Sequence, residues 1–437
     1  MSAVEDCGGV AAPVVAWEDG ATRRAFLGDG ASASLHHPFG GRERIFVPPW
    51  RIEGAFPGFT RRAPLMGEHT DAVLAALHSC PTPKMRSSDP GPVTCDWPRD
   101  LLHELRTHMS ELTFRAFQAT EPKKPAELVH LSAEDLPAGD LLVKVTHSSL
   151  NYKDGLAILG RPGVVRTFPL ICGIDLAGEV VDDAHGFAAG DNVILTGSGL
   201  SETRPGGYSQ YQRIMADHVV ATPSKLGPWG AMAIGTAGLT AMLCILRLEA
   251  AGLTPDRGPV LVTGATGGVG TFAVSTLARL GYEVHASTGK EDEHAYLASL
   301  GATTIVPREK LTGEPRALDR QQWAACVDCV GGVVLANVLA RMDYSGVVAA
   351  CGLAGGTTLP ATVLPFILRN VSLLGVDSVN APLELRRQAW DRLDDLYSLT
   401  TLKQVAVDAT LEDLPRLSEQ ILRGQIRGRV VVTMSNP

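Results

Sequence analysis

Between residues 260 and 274 the chain reads VLVTGATGGVGTFAV, an apolar run, a knot of glycines and a second apolar run at helical spacing. A glycine-rich turn placed between a buried strand and a helix lets the main chain approach a phosphate and aims the helix N-terminus at it. The motif, Gly264-Ala265-Thr266-Gly267-Gly268-Val269-Gly270, is a variant of the GxGxxG dinucleotide fingerprint rather than a strict copy. Gly267 and Gly268 are read as admitting the pyrophosphate, Val269 as opening a helix with free N–H groups, and Gly270 as permitting close helix–strand packing. No Gly-Lys-Ser/Thr follows, so a Walker loop is excluded. A fold that selects NAD places an acid about 20 residues further on, against the ribose 2′-hydroxyl. Here the strand end is Ser287-Thr288-Gly289-Lys290. Hydroxyls and an ammonium suit a 2′-phosphate, and NADPH is the expected cofactor.

The elements that must hold this site follow from the patterning on either side. From about 109 to 230 short alternating segments joined by Gly–Asp turns, such as 140–149, 168–182 and 188–197, predict a β-rich unit without a βαβ rhythm. From 231 the rhythm changes to a long helix at 231–252, strand 260–263, helix 269–280, strand 283–287, helix 291–300 and a short strand at 304–306. The segments 325–331, 333–342 and 346–352 continue the alternation, which implies a parallel sheet covered on both faces. The tail returns to mixed pieces and ends on the apolar strand 428–434. The expected fold class is α/β: a doubly wound Rossmann domain at 231–364 inserted in a β-rich catalytic domain at 109–230 and 365–437, with a poorly ordered extension at 1–108.

Composition sets limits on the chemistry. The 437 residues carry 39 Lys and Arg against 47 Asp and Glu, a formal charge of −8, which argues against a general nucleic-acid binder. Eight cysteines without framework spacing suit a reducing cytoplasm. No stretch of about 18 apolar residues free of charge is expected, and hence no membrane span. Cys326 and Cys329 form a lone CxxC, expected to be structural and to lie on one buried strand.

With NYKDG (151–155), GIDLAGEV (173–180), GDNV (190–193), GGYSQY (206–211), GTAGLTA (235–241) and TGATGGVG (263–270), the chain resembles the medium-chain dehydrogenase/reductase superfamily from about 111 to the C-terminus. SSLNYKDGLAI, GTAGLTAMLC, VAACGLAGG, LPFILRNVSLLGVDSV and QIRGR are most similar to the acrylyl-CoA reductase branch, which is related to the quinone reductases. The resemblance implies a GroES-like catalytic domain, a homodimer and a small CoA thioester substrate. Where the superfamily's zinc alcohol dehydrogenases carry Gly-His-Glu, this chain reads Gly173-Ile174-Asp175, so no zinc is expected. A reaction without a Lewis acid suits an already polarised substrate: hydride enters at Cβ of a conjugated thioester, and the charge spreads onto the thioester oxygen.

Site residues are carried over from the matching positions. Tyr152 is expected beside the nicotinamide, its phenol donating to the enolate or supplying the proton. Asn151 orients neighbours or donates to the thioester oxygen, and Asp154 caps the helix that starts there. Thr240 and Leu353 are expected on the nicotinamide side, with Ile367 and Ser378 lining the site from the returning segment. Arg308 joins Lys290 at the 2′-phosphate. Arg369 meets the thioester, an anionic part of coenzyme A, or a surface ion-pair partner. Gly424 stands where enterobacterial relatives have Asn, which removes a side-chain contact. The resemblance leaves two alternatives open, an NADPH:quinone or enone oxidoreductase and a catalytically silent NADPH-binding protein.

Residues 48–77, PPWRIEGAFPGFTRRAPLMGEHTDAVLAAL, resemble instead the C-terminal tail of a family III CoA-transferase. Followed by a Pro- and Gly-rich run at 80–98 and by Met109-Ser110-Glu111, they suggest that 1–108 is a fused or mis-started upstream piece.

Overall fold

A computed structural model describes residues 112–434, together with the backbone of two short strands nearer the N-terminus. Those two, β1 (Ser32–His36) and β2 (Arg42–Phe46), pair antiparallel. They belong to a unit spanning Met1–His108, distinct from the unit Met109–Pro437. The stretch 48–77, with its CoA-transferase resemblance, and the run at 80–98 lie outside the described residues.

The catalytic lobe is built from short strands with period-two burial. β3 (Thr113–Ala119) pairs with β4 (Glu127–Ser132) and with β6 (Leu170–Ile171) in a small antiparallel sheet. β5 (Leu141–Ser149) turns Leu141, Val143 and Val145 inward and leaves Lys144 outside, the alternation of a half-buried strand. It lies at the centre of a larger sheet ordered β10-β8-β7-β5-β18-β17, with β9 (Tyr211–Ile214) also paired to β5. The other members are β7 (Asp175–Val180), β8 (Asn192–Thr196), β10 (Val220–Ala221), β17 (Ala406–Thr410) and β18 (Arg429–Thr433). The last strand of the chain thus pairs with β5, near the start of the lobe, and completes the sheet. Helix α1 (Tyr152–Ile158) leaves directly from the end of β5.

α2 (Gly227–Ala250) joins the lobes, and its first 20 residues carry no charge. It therefore has the length and composition of a membrane span, contrary to the expectation that no such stretch exists. Its apolar surface is spent inside the protein instead. α2 packs on β5, β7, β8 and β18 of the catalytic lobe and on the next helix and the parallel sheet.

The nucleotide lobe alternates as the sequence implied. β11 (Val260–Val262), α3 (Gly268–Arg279), β12 (Val284–Thr288), α4 (His294–Ser299) and β13 (Thr304–Pro307) make its first half. β14 (Trp323–Asp328), α5 (Gly332–Leu339), β15 (Met342–Ala350), α6 (Leu364–Arg369) and β16 (Ser372–Gly375) make its second. All six strands are parallel, in the order β13-β12-β11-β14-β15-β16, so the order reverses between β11 and β14. In such sheets ligands bind outside the C-terminal strand ends at that switch point. The expected boundary at 364/365 needs correction. β16 pairs with β15 in the parallel sheet, so the nucleotide lobe runs through Gly375. The chain rejoins the catalytic sheet only at β17, after α7 (Leu383–Leu396) and α8 (Leu399–Leu402); α9 (Leu414–Leu422) then covers α1.

Candidate functional site

The glycine run lies at the C-terminal end of β11, with Gly267 as the N-cap of α3. Gly270 has no room for a side chain, because a Cβ there would stand 2.3 Å from the Gly264 carbonyl oxygen and 2.6 Å from the Ala265 Cα. Close helix–strand packing is thus the reason for that glycine. Gly267 is exposed and Gly268 and Val269 are half-buried, so the first turn of α3 is open at the strand edge. Its N–H groups precede the first intrahelical bonds and are available to an anion.

β12 delivers the next set. Ser287 and Thr288 are buried at its end, the Thr288 hydroxyl accepts from the Lys290 N–H at 3.1 Å, and the Ser287 carbonyl accepts from the Ala265 N–H. The Arg308 guanidinium lies over Gly289, whose absent Cβ would be 2.4 Å from Nη2. Lys290 Nζ donates to the Gly424 carbonyl at 2.5 Å, so the chain that lacks an Asn side chain there still contacts this corner through its backbone. Lys290 and Arg308 therefore flank the end of β12 beside the glycine turn. These residues fit a dinucleotide with a 2′-phosphate: an open helix N-terminus, two hydroxyls, two cations and no acid at the strand end.

Tyr152 is the first residue of α1 and 53% exposed. Behind it stands a buried polar cluster. Asn151 caps α1 in a reciprocal box with Asp154, whose carboxylate accepts from the Asn151 N–H at 2.9 Å and from the Ile174 N–H at 2.9 Å. The Asn151 amide donates to Asp175 at 2.9 Å and to the Ser149 hydroxyl and Asp154 at 3.1 Å each, and accepts from Arg429 at 3.0 Å, so both its hydrogens are engaged in positioning the turn. Asp175, fully buried, also accepts from the hydroxyls of Ser149 and Thr236 and from the Thr236 N–H. Arg429, 3% exposed, donates to the Ser149 hydroxyl and to the carbonyls of Leu150 and Ala233, and lies 4.0 Å from Asp175. Burial pulls the Arg429 pKa below its ordinary value, opposed by Asp175, Asp154 and Tyr208. Burial first, and then the charge of Asp175, push Asp154 up to about 7 despite its N–H donors.

The cluster exists because α2 breaks at Gly235, which has φ 53° and ψ −160°. The break turns the Thr236 N–H and hydroxyl onto Asp175. A Cβ at Gly235 would stand 2.7–2.8 Å from Arg429 Nη2, Asp175 Oδ2 and the Ser149 hydroxyl. The same guanidinium reaches the phosphate cradle, since a Cβ on Gly268 would be 3.2 Å from Arg429 Nη1. One arginine therefore underlies both the Tyr152 turn and the glycine turn.

Thr240 and Ser378 are brought together, hydroxyl to hydroxyl at 2.8 Å, joining α2 to the segment after β16. Leu353 follows β15 at the same edge of the sheet and is 65% exposed. Arg369 is a correction. Its guanidinium donates to the carbonyls of Asp319, Ala340 and Met342, at the N-terminal ends of the strands and so away from the cradle. The short helix α6 crosses the sheet and delivers Arg369 to the wrong end for substrate. Ile367, 68% exposed, shares that helix, and no contact described here ties it to the cradle. Cys329 also departs from expectation: Cys326 is buried in β14, whereas Cys329 lies past the strand end and is half-buried. Among the described residues, no group of three or more His, Cys, Asp or Glu side chains could hold a metal ion.

Asp175, Arg429, Ser149 and Gly235 were within motifs singled out in the sequence, yet received no role there. A signal was present. Arg429 is the single charge of the strand RVVVT, and Asp175 opens the strand DLAGEV on its buried face while Glu179 lies on the exposed one; a buried charge demands a partner.

Comparison with known proteins accords with this geometry. Residues 137–224 match the alcohol dehydrogenase GroES-like domain, and residues 268–395 match the zinc-binding dehydrogenase domain. The chain is 50% identical over 314 residues to a probable acrylyl-CoA reductase, AcuI, of Escherichia coli, covering 72% of this chain and 97% of that protein. It is 47% identical over 326 residues to a putative quinone oxidoreductase, YhfP, of Bacillus subtilis, covering 73% of this chain and 99% of that one. Among solved structures, the yhdH oxidoreductase of Salmonella enterica in complex with NADP superposes with a TM-score of 0.72 at 48% identity, covering 74% of this chain and all of the other. The matched domains do not reach 48–77, so the CoA-transferase resemblance gains no support.

Proposed function

The chain belongs to the medium-chain dehydrogenase/reductase family, and on that premise we propose that it is an NADPH-dependent reductase of the conjugated C=C bond of acrylyl-CoA, forming propionyl-CoA. The observation that carries the reading is the Arg429 side chain, which supports the glycine cradle and the Tyr152 turn from one buried position. Cofactor and phenol are thereby held against a common frame, which is the requirement for orienting a hydride donor and a proton donor on one substrate. The relative named as an acrylyl-CoA reductase and the NADP complex of the structural neighbour support substrate and cofactor.

NADPH, when bound, supplies the hydride that the substrate takes up at Cβ. The protein's part is electrostatic and geometric. The first turn of α3 holds the pyrophosphate, while Ser287, Thr288, Lys290 and Arg308 hold the 2′-phosphate. Thr240, Ser378 and Leu353 border the nicotinamide side. Tyr152 donates its phenolic hydrogen bond to the thioester oxygen as negative charge develops there, or passes the proton to Cα. General-acid help of this kind contributes about 10²–10⁴-fold. Asn151 acts through Tyr152 by fixing the turn. The reading carries with it a metal-free reaction, a cytoplasmic location and a homodimer paired through the nucleotide lobe.

NADPH oxidation followed in parallel with acrylyl-CoA, crotonyl-CoA and a small quinone tests the proposal. Preference for acrylyl-CoA is expected. Turnover with the quinone alone would establish the second reading, which the likeness to a putative quinone oxidoreductase favours.

A further inference from the structure

Cys329 and Cys351 follow the ends of neighbouring strands, β14 and β15, at the edge where the cofactor is proposed to bind. Asp328 and Ala350 are register partners, so the two cysteines extend adjacent strands by one residue each. Neighbouring strands run about 4.8 Å apart, which is within the Cα separation a disulfide spans. The two sulfurs are 3.9 Å apart. Both residues are half-buried, whereas Cys172, Cys244 and Cys326 are fully buried.

Their surroundings are the cradle itself. Cys329 Cβ lies 3.5 Å from where a Gly264 Cβ would stand, and its N–H donates to Thr263, the residue before the glycine run. The loops that carry the two thiols interlock without slack: a Cβ on Gly352 would be 2.2 Å from the Cys329 carbonyl oxygen, and the Gly355 N–H donates to the Val330 carbonyl. Leu353 is two residues beyond Cys351.

We propose that Cys329 and Cys351 are a reversible dithiol site whose oxidation by a hydroperoxide to a disulfide weakens NADPH binding. One thiolate attacks the peroxide, the O–O bond breaks and hydroxide departs as water, leaving a sulfenic acid. The second thiol attacks that sulfur, the S–O bond breaks, and the hydroxyl leaves with the thiol proton as a second water. Two thiols lose two electrons in all, and hydrogen peroxide becomes two waters. The sulfurs must close from 3.9 Å to about 2 Å, and the packed loops transmit that movement to Gly264 and Leu353. By linkage, bound NADPH shifts the dithiol–disulfide equilibrium toward the dithiol by the same factor that the disulfide weakens its binding. The effect on NADPH rests on the cofactor reading above; the formation of the disulfide does not.

The test treats the reduced full chain with hydrogen peroxide, with and without NADPH. Linked peptides are mapped by mass spectrometry, and NADPH affinity is measured by nicotinamide fluorescence. The expected result is a Cys329–Cys351 peptide, reversed by dithiothreitol, with Kd for NADPH raised tenfold or more and, at equilibrium with dithiothreitol, a disulfide fraction lowered by saturating NADPH. Cys329→Ser and Cys351→Ser should each abolish both the peptide and the oxidant's effect on Kd. Thiols that stay reduced, a link from Cys351 to Cys244, or a disulfide that leaves Kd unchanged would overturn the proposal. If the reduced protein fails to bind NADPH, the cofactor reading falls, and peptide mapping alone judges the pair.

Discussion

Gly235→Ala puts the buried cluster behind Tyr152 to a quantitative test. At φ 53° and ψ −160° an alanine occupies a region essentially reserved for glycine, at about 1–3 kcal/mol. Its methyl would also stand 2.7–2.8 Å from Arg429 Nη2, Asp175 Oδ2 and the Ser149 hydroxyl. None of these is a free chain end, since each is buried and hydrogen-bonded, so at least one bond to a charged group must open at about 1.5–3 kcal/mol. The sum is about 2.5–6 kcal/mol. Gly252→Ala supplies the control: its φ is 91°, and nothing lies within 4 Å of the added methyl. That variant should lose only the backbone part, about 1–2 kcal/mol. Urea unfolding at pH 7, followed by circular dichroism, should therefore place Gly235→Ala about 1.5–4 kcal/mol below Gly252→Ala. If the two variants agree within about 0.5 kcal/mol, the cluster yields without cost and the argument from its packing is wrong.

Four further outcomes follow from the site. Tyr152→Phe should lower kcat/KM for acrylyl-CoA about 10²-fold or more while leaving NADPH affinity within twofold, because the phenol acts on the substrate; an unchanged kcat/KM removes it from the reaction. Replacing both Lys290 and Arg308 by Ala should weaken NADPH binding by about 10²-fold or more and leave NADH binding nearly unaltered, as measured by fluorescence titration, at about 1.5–3 kcal/mol per charged contact. Asp154, raised to about 7 in the fold from an ordinary 3.8, adds stability that is complete below about pH 4 and is lost as pH rises through 7. Urea midpoints should show wild-type stability falling between pH 5 and 7 by about 1.4 kcal/mol per unit more than that of Asp154→Asn; parallel curves would show that the carboxyl does not titrate there. Arg369→Ala should lower Tm by several degrees and leave KM for the thioester unchanged, since its three partners are backbone carbonyls; a raised KM would restore the substrate role.

The nucleotide lobe was legible because its signals are local. A glycine run between strand and helix, and a strand end without an acid, can be read within about thirty residues. What escaped is what the chain assembles from distant parts. Arg369 has the type of a substrate clamp, but its partners are main-chain carbonyls of Asp319, Ala340 and Met342, which carry no side-chain signature. Asp175 and Arg429 meet only because the last strand returns to pair beside β5. The break at Gly235 lies in a run that reads as one continuous helix, since only its φ distinguishes it from a tolerated glycine. The boundary at 364 failed for a related reason: β16 is four residues long and follows a six-residue helix, too short for either period to declare itself.

Helix α2 draws on both lobes at once. Its residues share one core with Ala177 and Ile194 of the catalytic sheet and with Val260, Val262 and Phe272 of the nucleotide lobe. It works as a splint set across the cleft, so neither half can be excised, or exchanged for a relative's half, without tearing apolar surface from the other. Wide bending of the lobes about that helix would open the same core, which favours loops at the lobe edges over whole-lobe rotation as the parts that move. Changes in substrate preference are then expected to accumulate in those loops, with the splint left intact.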